Sequence, residues 1–165
     1  MKRFFAIIIF AMAVLSASSQ EVAPSATATA QTSTTEQVVS IPKTDWITPF
    51  NCVKVDGPMN VVFKKVATAE ESRITYDTKG NITSKFKFEV DKKGVLVVSE
   101  KFDPKRTSVT DVTIYYNSLR EVRIAHAKAE FENVVESDLF DLSVTGGAMA
   151  TLEVKTLDSA VECTG

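Results

Sequence analysis

The side chains best suited to nucleophilic, acid–base or metal chemistry are few in this chain of 165 residues: one histidine and two cysteines. A Ser-His-Asp or Cys-His centre needs a histidine that a third group orients, and nothing near His126 in the sequence supplies one. A structural zinc site takes about four Cys or His ligands, whereas only His126, Cys52 and Cys163 are present. These residue types predict no catalytic centre, no metal site and no cofactor, and we interpret His126 as a turn or surface residue.

Carboxylates are the other candidates, because β-helical polysaccharide lyases hold calcium with acids clustered on one strand face. The candidate pairs are Asp138 with Asp141, and Asp103 with Asp111. Asp138 and Asp141 differ in parity along a strand, so they are expected to face opposite sides of a sheet. The glycine-rich nonapeptide repeat that binds calcium in secreted β-rolls is absent from the sequence. We therefore interpret these acids as part of a solvated sheet face.

Two aromatic residues give a hint of binding rather than catalysis. Trp46 precedes the first strand pattern, and Tyr115 faces the opposite way from Ile114 and Tyr116. Exposed rings on a β surface can stack on sugars or anchor a partner. The alternative, which large aromatics generally favour, is that Trp46 packs as a lid over the fold.

The front of the chain has the pattern of a secretory signal peptide. Lys2 and Arg3 precede an uncharged apolar run at 4–15, and small residues follow at 17–19. The run is shorter than the roughly 20 residues that span a bilayer, so no membrane span is expected. We predict a signal peptide at 1–19 and a location in the periplasm, on the cell surface or outside the cell.

A composition change marks the next segment. Residues 20–44 are rich in Ala, Ser and Thr and have no periodic apolar face, which predicts a flexible tether ahead of a domain at 45–165. Loss of the two leader cations leaves 17 basic against 21 acidic residues, a net charge of −4. With no basic stripe, nucleic acid is not an expected partner.

The two cysteines form an even pair in a chain predicted to be exported, so a disulfide between Cys52 and Cys163 is possible. They lie at opposite ends of the predicted domain, and a linear stack would keep them apart. Sequence alone cannot set the Cα separation that a disulfide requires, so the pairing stays open.

Period-two alternation of apolar and polar residues recurs along the predicted domain and favours an all-β fold. The clearest hairpin alternates from Phe86 to Val90, turns at Asp91–Gly94 and returns through Val95–Val98. Alternating small residues from Ala125 to Phe131 favour a strand over a helix.

A short apolar phrase begins at Leu119, Leu139 and Leu157, with spacings of twenty and then eighteen residues. The second copy runs into Gly146-Gly147. A period near twenty that combines a short strand with a turn of small residues is typical of stacked β-coils. Each coil must stack on a neighbour, because alone it cannot bury its apolar face.

The copies predict a register. Leu142 is expected to stack inward on Val122, and Val144 on Ile124. The third copy aligns Ala160 with Leu142. The last coil would expose unpaired backbone groups with little charge to protect them, so we expect either a stack truncated at its C-terminus or self-association through the C-terminal edge.

Taken together, these motifs resemble the secreted bacterial head GIN domain family, described as auto-transporter adhesins. The residues that carry the resemblance are Phe50-x-x-Val53-x-Val55-x-Gly57, Val61-x-Phe63, Lys93-Gly94-Val95-Leu96-Val97, Val112-x-Ile114 with Leu119-x-x-Val122, and Gly146-Gly147-Ala148. The resemblance implies β-hairpins that lead into a short right-handed, pectin-lyase-like β-helix. It departs from the family at His126-Ala127, where the next coil has two glycines, and in having fewer coils.

The expected function is therefore that of an exported, non-enzymatic β-helical module for interaction at the cell surface or envelope, an adhesin-like role with a surface protein or a glycan as partner. The alternative is a carbohydrate-active enzyme or a carbohydrate-binding module of pectin-lyase-like type. A groove of outward acids would favour the enzyme, and a row of exposed rings would favour the sugar binder.

Overall fold

The computed structural model describes residues 40–80 and 83–165, so the predicted signal peptide and the predicted tether up to residue 39 lie outside the described residues. The described part consists of strands and two short 3-10 turns, Ala69–Glu71 and Thr83–Lys85, which confirms the all-β prediction. No helix in these ranges has the length and hydrophobicity needed to cross a membrane. The strands are β1 (Lys43–Trp46), β2 (Cys52–Asp56), β3 (Met59–Lys65), β4 (Arg73–Asp77), β5 (Phe86–Val90), β6 (Val95–Glu100), β7 (Thr110–Tyr116), β8 (Glu121–Ala125), β9 (Lys128–Phe131), β10 (Val135–Thr145), β11 (Met149–Thr151) and β12 (Val154–Thr164).

The strands form two six-stranded sheets. Sheet A has the order β1-β4-β7-β3-β9-β11, and sheet B has the order β12-β10-β8-β2-β6-β5. Neighbouring strands are parallel except in the pairs β1–β4, β4–β7 and β5–β6. Residues of alternate parity are buried along most strands, and those of both sheets belong to one hydrophobic core. The alternation seen in the sequence therefore marks which side chains point inward.

A strand–turn–strand unit recurs through the fold. The chain runs along a strand of sheet B, turns a corner and continues along a strand of sheet A, in the pairs β2–β3, β8–β9 and β10–β11. The corners are Gly57-Pro58, His126-Ala127 and Gly146-Gly147. A fourth unit, β6–β7, makes the same crossing through a longer loop at 101–109.

The units do not stack in chain order. β2 pairs with β6 on one side and β8 on the other, and β3 pairs likewise with β7 and β9. The first unit of the chain is thus the central one. The hairpin expected at 86–98 is present as β5–β6, whereas β2 and β3 do not pair with each other and form no hairpin. Gly57 makes this corner possible: its φ is +128°, and a Cβ there would lie 2.2 Å from the carbonyl oxygen of Glu100.

The predicted register of the repeat is confirmed for its first two copies. Leu142 lies opposite Val122 and Val144 lies opposite Ile124, and all four side chains are buried. Val53 continues the first of these columns on β2. Branched apolar side chains therefore stack in columns through sheet B, as a buried parallel sheet requires.

The third copy is one residue out of the expected register. The spacing of the phrase aligned Ala160 with Leu142. In the structure Leu142 lies opposite Val161 instead, and Ala160 lies opposite Asp141. The offset between β10 and β12 is nineteen residues, whereas the leucines of the phrase are eighteen apart. Leu157 is consequently 88% exposed.

The two ends of the stack differ. At one end Tyr76, Phe86 and Phe88 pack together between the antiparallel strands β4 and β5. At the other end β12 pairs with β10 alone among the described strands, and its residues from Leu157 to Thr164 are exposed. Antiparallel strands and aromatic rings close the first end, whereas the second presents a strand edge.

Candidate functional site

His126 lies at a corner of the stack. Its backbone has a φ of +59°, and its Nδ1 lies 3.0 Å from Oδ1 of the exposed Asp56. On the other side, a Cβ added to Gly146 would come within 2.6 Å of Nε2, so the imidazole ring occupies the space that the glycine leaves. This is the turn position that the sequence indicated, and the side chain makes a hydrogen bond to Asp56 at the end of β2.

The candidate carboxylates are in ion pairs with lysines. Asp103 contacts Lys85 at 2.8 Å, and this hydrogen bond, with that from the Lys105 N–H, lowers the pKa of the Asp103 carboxyl. Partial burial alone would raise the pKa of Asp111, but hydrogen bonds from Lys79 and Asn60 outweigh it and the pKa lies below its ordinary value. Asp103 and Asp111 are therefore charged, and each forms an ion pair with a lysine.

The remaining predicted pair of acids and the cysteines do not form a site either. Asp138 and Asp141 are both exposed on β10. Within the described residues no group of three or more His, Cys, Asp or Glu side chains is arranged to hold a metal ion. Cys52 and Cys163 are free thiols on β2 and β12, with β8 and β10 between them, so the possible disulfide is not formed in this structure. Burial, followed by the charge of Glu121, raises the pKa of the Cys52 thiol.

A buried ion pair that the sequence analysis missed lies at the end of β6. Nη1 of Arg106 is 3.0 Å from Oε2 of Glu100, and the Thr110 hydroxyl donates to Oε1 of Glu100 at 2.8 Å. Both charged side chains are at least nine-tenths buried. Arg106 belongs to the loop at 101–109, so this network fixes the loop against the end of the core. Because it is buried, this ion pair stabilises the fold and is not a surface binding site.

The exposed site with the most distinctive chemistry is on the outer face of sheet A. Trp46 of β1 lies beside Arg73 of β4, which lies beside Tyr115 of β7. The guanidinium carbon of Arg73 is 5.5 Å from the centre of the Trp46 ring and 3.7 Å from that of Tyr115. These are cation–π distances. We call these three residues the aromatic row.

The aromatic row is held in place by the backbone around it. Trp46 ends the short ladder between β1 and β4, and the next amide, that of Ile47, donates to the carbonyl of Ser72 at 3.2 Å. Nη1 of Arg73 donates to the carbonyl of Glu71 at 3.2 Å. Trp46 is nevertheless 68% exposed, so the expectation that it forms a buried lid is wrong. β1 is an edge strand, and no other strand of the described residues 40–80 and 83–165 covers the ring.

A second row of similar residues lies beside the first. Thr44, Thr75 and Thr113 are directly opposite one another on β1, β4 and β7. The hydroxyls of Thr44 and Thr75 are 2.9 Å apart. We call these three residues the threonine row. Hydroxyls both donate and accept hydrogen bonds, so this face of the sheet presents rings, one guanidinium and a line of hydroxyls.

The next row along the same strands is acidic. Asp77 lies opposite Asp111, and Asp111 lies opposite Asn60 on β3. Lys79 pairs with Asp111, and Asp77 accepts hydrogen bonds from Ser40 and from the Lys79 amide. This row is already satisfied by contacts within the protein, which leaves the aromatic and threonine rows as the free part of the face.

The fold defines an all-β protein in which two largely parallel sheets are joined at corner turns. The chain belongs to the family described as "putative auto-transporter adhesin, head GIN domain", whose model matches residues 49–165. No match is found among curated proteins.

Solved structures with a similar fold include two proteins described as adhesins and one described as lipid binding. An adhesin from Parabacteroides merdae is 19% identical with a TM-score of 0.61, and the match covers 74% of this chain and 52% of that one. An adhesin from Bacteroides fragilis is 17% identical with a TM-score of 0.58, covering 76% and 59%. A protein described as lipid binding, from Parabacteroides distasonis, is 11% identical with a TM-score of 0.57, covering 75% and 61%. The chain spans about half to three-fifths of these proteins, and at such identities the likeness shows the fold alone.

Proposed function

We propose that this protein is an exported, non-enzymatic module that binds a surface protein or a glycan at the cell surface or envelope, an adhesin-like role. Family membership supports the proposal. The single observation that carries it is the uncovered aromatic row on the outer face of sheet A, with Trp46 largely exposed at the edge. An exposed tryptophan next to a stacked arginine costs solvation without adding to the core, and both residue types are enriched where proteins bind partners.

The finer fold assignment is part of this proposal. Parallel ladders run through both sheets, and corner turns join them at successive levels. From β8 to β12, where the units follow chain order, this is the arrangement expected for a short right-handed, pectin-lyase-like β-helix, in which each level adds one strand to each sheet. The corners at Gly146 and Gly147, both with positive φ, support it.

Adhesion tests the function directly. Beads coated with the purified protein are expected to attach to surfaces coated with mucin or fibronectin and not to albumin. Beads coated with the Trp46→Ala variant are expected to attach less, while Phe102→Ala, which removes an equally exposed ring from the loop at 101–109, leaves attachment unchanged. Attachment to neither mucin nor fibronectin would contradict the proposal.

The second candidate is a carbohydrate-binding module, and the exposed ring of Trp46 favours it. For a carbohydrate-active enzyme the geometry offers less support. Asp103 and Asp111 are each paired with a lysine, and a carboxylate held charged in this way cannot serve as a general acid near neutral pH.

Export follows from the leader predicted at 1–19. Ala17 and Ser19 occupy the −3 and −1 positions of a signal peptidase site, so Gln20 is the expected mature N-terminus. N-terminal sequencing of the protein from envelope and culture fractions tests this, and an intact Met1 in the exported pool would contradict it.

Self-association through β12 is also part of the proposal, as the alternative to a longer stack whose further coils would cover this strand. This strand of eleven residues exposes its free backbone edge together with Leu157 and Val161, and an unprotected edge is a template for pairing with a second copy. Light scattering should show dimers that Val161→Lys converts to monomers. Val109→Lys, at an exposed valine ahead of β7, should leave dimers unchanged. A monomer at all concentrations would contradict self-association.

A further inference from the structure

Arg73 is an unusual surface cation, because its guanidinium is ordered without a carboxylate. The rings of Trp46 and Tyr115 lie on either side of it, and one N–H is used by the carbonyl of Glu71. A guanidinium has five N–H donors, so most of its donors have no partner among the described residues. The carboxylate of Glu71 is turned to the Thr68 amide at 3.1 Å and does not pair with Arg73.

The charged residues of the neighbouring rows are paired elsewhere or lie far from this guanidinium. Lys64, opposite Tyr115 on the far side of the aromatic row, is paired with Glu132 at 2.8 Å. The acidic row at Asp77 is four residues along the strand from Arg73, about 13 Å away at ~3.3 Å per residue. That exceeds the screening length of about 8 Å at physiological ionic strength. An anion at Arg73 therefore meets a guanidinium for which the described residues show no carboxylate partner, although the whole chain is mildly acidic.

The neighbouring groups indicate the rest of the ligand. The ring of Trp46 offers an apolar surface that a flat, C–H-bearing face can cover. The threonine row offers hydroxyls two residues along the strands from the aromatic row, on the same face of the sheet. A ligand that combines an apolar face, many hydroxyls and an anionic group matches all three features, and this is the chemistry of an acidic sugar.

We propose that the aromatic and threonine rows bind an acidic glycan, with its carboxylate or sulfate on Arg73, its sugar face on Trp46 and its hydroxyls on Thr44 and Thr75. The inference deepens the proposed function by naming the class of ligand, and it rests on that function. Because Arg73 is already ordered by stacking, the contact loses little side-chain freedom on binding. Arginine at this position also suits an oxyanion better than lysine, since its planar fork can make two parallel hydrogen bonds.

Intrinsic fluorescence provides the probe, because Trp46 is the sole tryptophan of the chain. The purified protein is titrated with oligogalacturonate (carboxylate), heparin oligosaccharides (sulfate and carboxylate) and maltooligosaccharides (neutral). At least one acidic series should change the Trp46 emission and bind at least about tenfold more tightly than the neutral series. The affinity should fall as salt is added. Comparison of the two acidic series distinguishes the carboxylate from the sulfate.

Variants measured by calorimetry then locate the contact. Trp46→Ala and Arg73→Gln should each weaken binding by about tenfold or more, and Arg73→Lys should restore only part of the affinity. The matched controls are Phe102→Ala, 73% exposed against 68% for Trp46, and Arg123→Gln on the outer face of sheet B. All four residues lie at the surface, so unchanged melting temperatures are expected.

Equal affinity for neutral and acidic series, no binding of any series, or site variants that bind as the parent protein does would each overturn the glycan site. The bead assay separates the two proposals. If beads attach to mucin or fibronectin and the Arg73→Gln variant attaches equally well, the acidic-glycan inference fails and the adhesin-like function stands. If the parent protein attaches to neither surface and binds no oligosaccharide, the proposed function itself fails.

Discussion

Val53 and Val161 carry the same side chain at two levels of sheet B, so alanine at each position tests where β2 lies in the stack. Val53 is 1% exposed and lies between Leu96 of β6 and Val122 of β8. Val161 is 63% exposed on β12, which has a neighbour on one side only. Their order in the chain would make Val53 a residue of the first, outermost level.

The expected costs follow from these exposures. Valine to alanine removes the equivalent of two CH₂ groups, worth about 1.6 kcal/mol of transfer free energy when fully buried. The cavity left between two neighbouring strands raises the loss in unfolding free energy at Val53 to about 2–3 kcal/mol. At Val161 roughly two-thirds of the side chain is already in water, so the loss should be about 0.5 kcal/mol.

Urea denaturation followed by far-ultraviolet circular dichroism measures both values. For a slope of about 1–3 kcal/mol per molar urea, Val53→Ala should lower the midpoint by roughly 0.7–3 M and leave the slope unchanged. Val161→Ala should lower it by less than about 0.5 M. Lys54→Ala, next to Val53 on β2 but exposed, should change the unfolding free energy by no more than about 0.5 kcal/mol. Equal losses at Val53 and Val161 would refute the central position of β2.

Three further predictions concern single positions. Gly57→Ala should lower the free energy of unfolding by at least about 2 kcal/mol, because its Cβ would meet the Glu100 carbonyl. Gly147→Ala has nothing within 4 Å of the added Cβ and should cost only about 1 kcal/mol of φ strain. Similar losses for the two variants, measured by thermal or urea unfolding, would contradict the tight corner at Gly57. Glu100→Ala leaves Arg106 buried without its partner and should cost about 3–5 kcal/mol, and a loss below about 1 kcal/mol would show that the pair is solvated. The pKa of Asp111 is lowered in the folded state, so its stabilising effect is complete above about pH 5 and is lost as the pH falls below about 4; melting temperatures measured from pH 7 to pH 3 should drop less for Asp111→Asn than for the parent protein.

The sequence predicted well what depends on local alternation. Strands with period two were expected at Phe86–Val90 and Val95–Val98, and the structure has β5 and β6 there, joined by a turn with φ of +74° at Gly94. The stacking of Leu142 on Val122 was also predictable, because a spacing of twenty residues with matching apolar positions leaves one register that buries both. The limit of this reasoning appears at β12, where the phrase beginning at Leu157 suggested a register one residue away from the one that forms.

The spatial order of the units was not predictable from the same patterns. β2, β6 and β8 are all apolar at alternate positions and all bury branched side chains, so any order among them satisfies periodicity. The choice depends on loop geometry, above all on the corner at Gly57 and on the ion pair of Glu100 with Arg106, which holds the 101–109 loop at the end of β6. Neither the corner at Gly57 nor the ion pair belongs to a motif of fixed spacing that could be recognised in the sequence.

The candidate binding surface was half visible in advance. Trp46 and Tyr115 were singled out as aromatic, but Arg73 was not, because the cation–π contacts depend on two antiparallel pairings between segments distant in sequence. β1 and β4 close one end of sheet A in the antiparallel sense, and that reversal brings Trp46, Arg73 and Tyr115 into one line. The antiparallel strands at this end therefore also create the line of cation–π contacts on its outer face. At the opposite end the strands stay parallel, and β12 exposes backbone groups rather than ordered side chains. The two ends of the described stack thus present different surfaces: the ordered side chains of the aromatic row at one end, and the edge of β12 at the other.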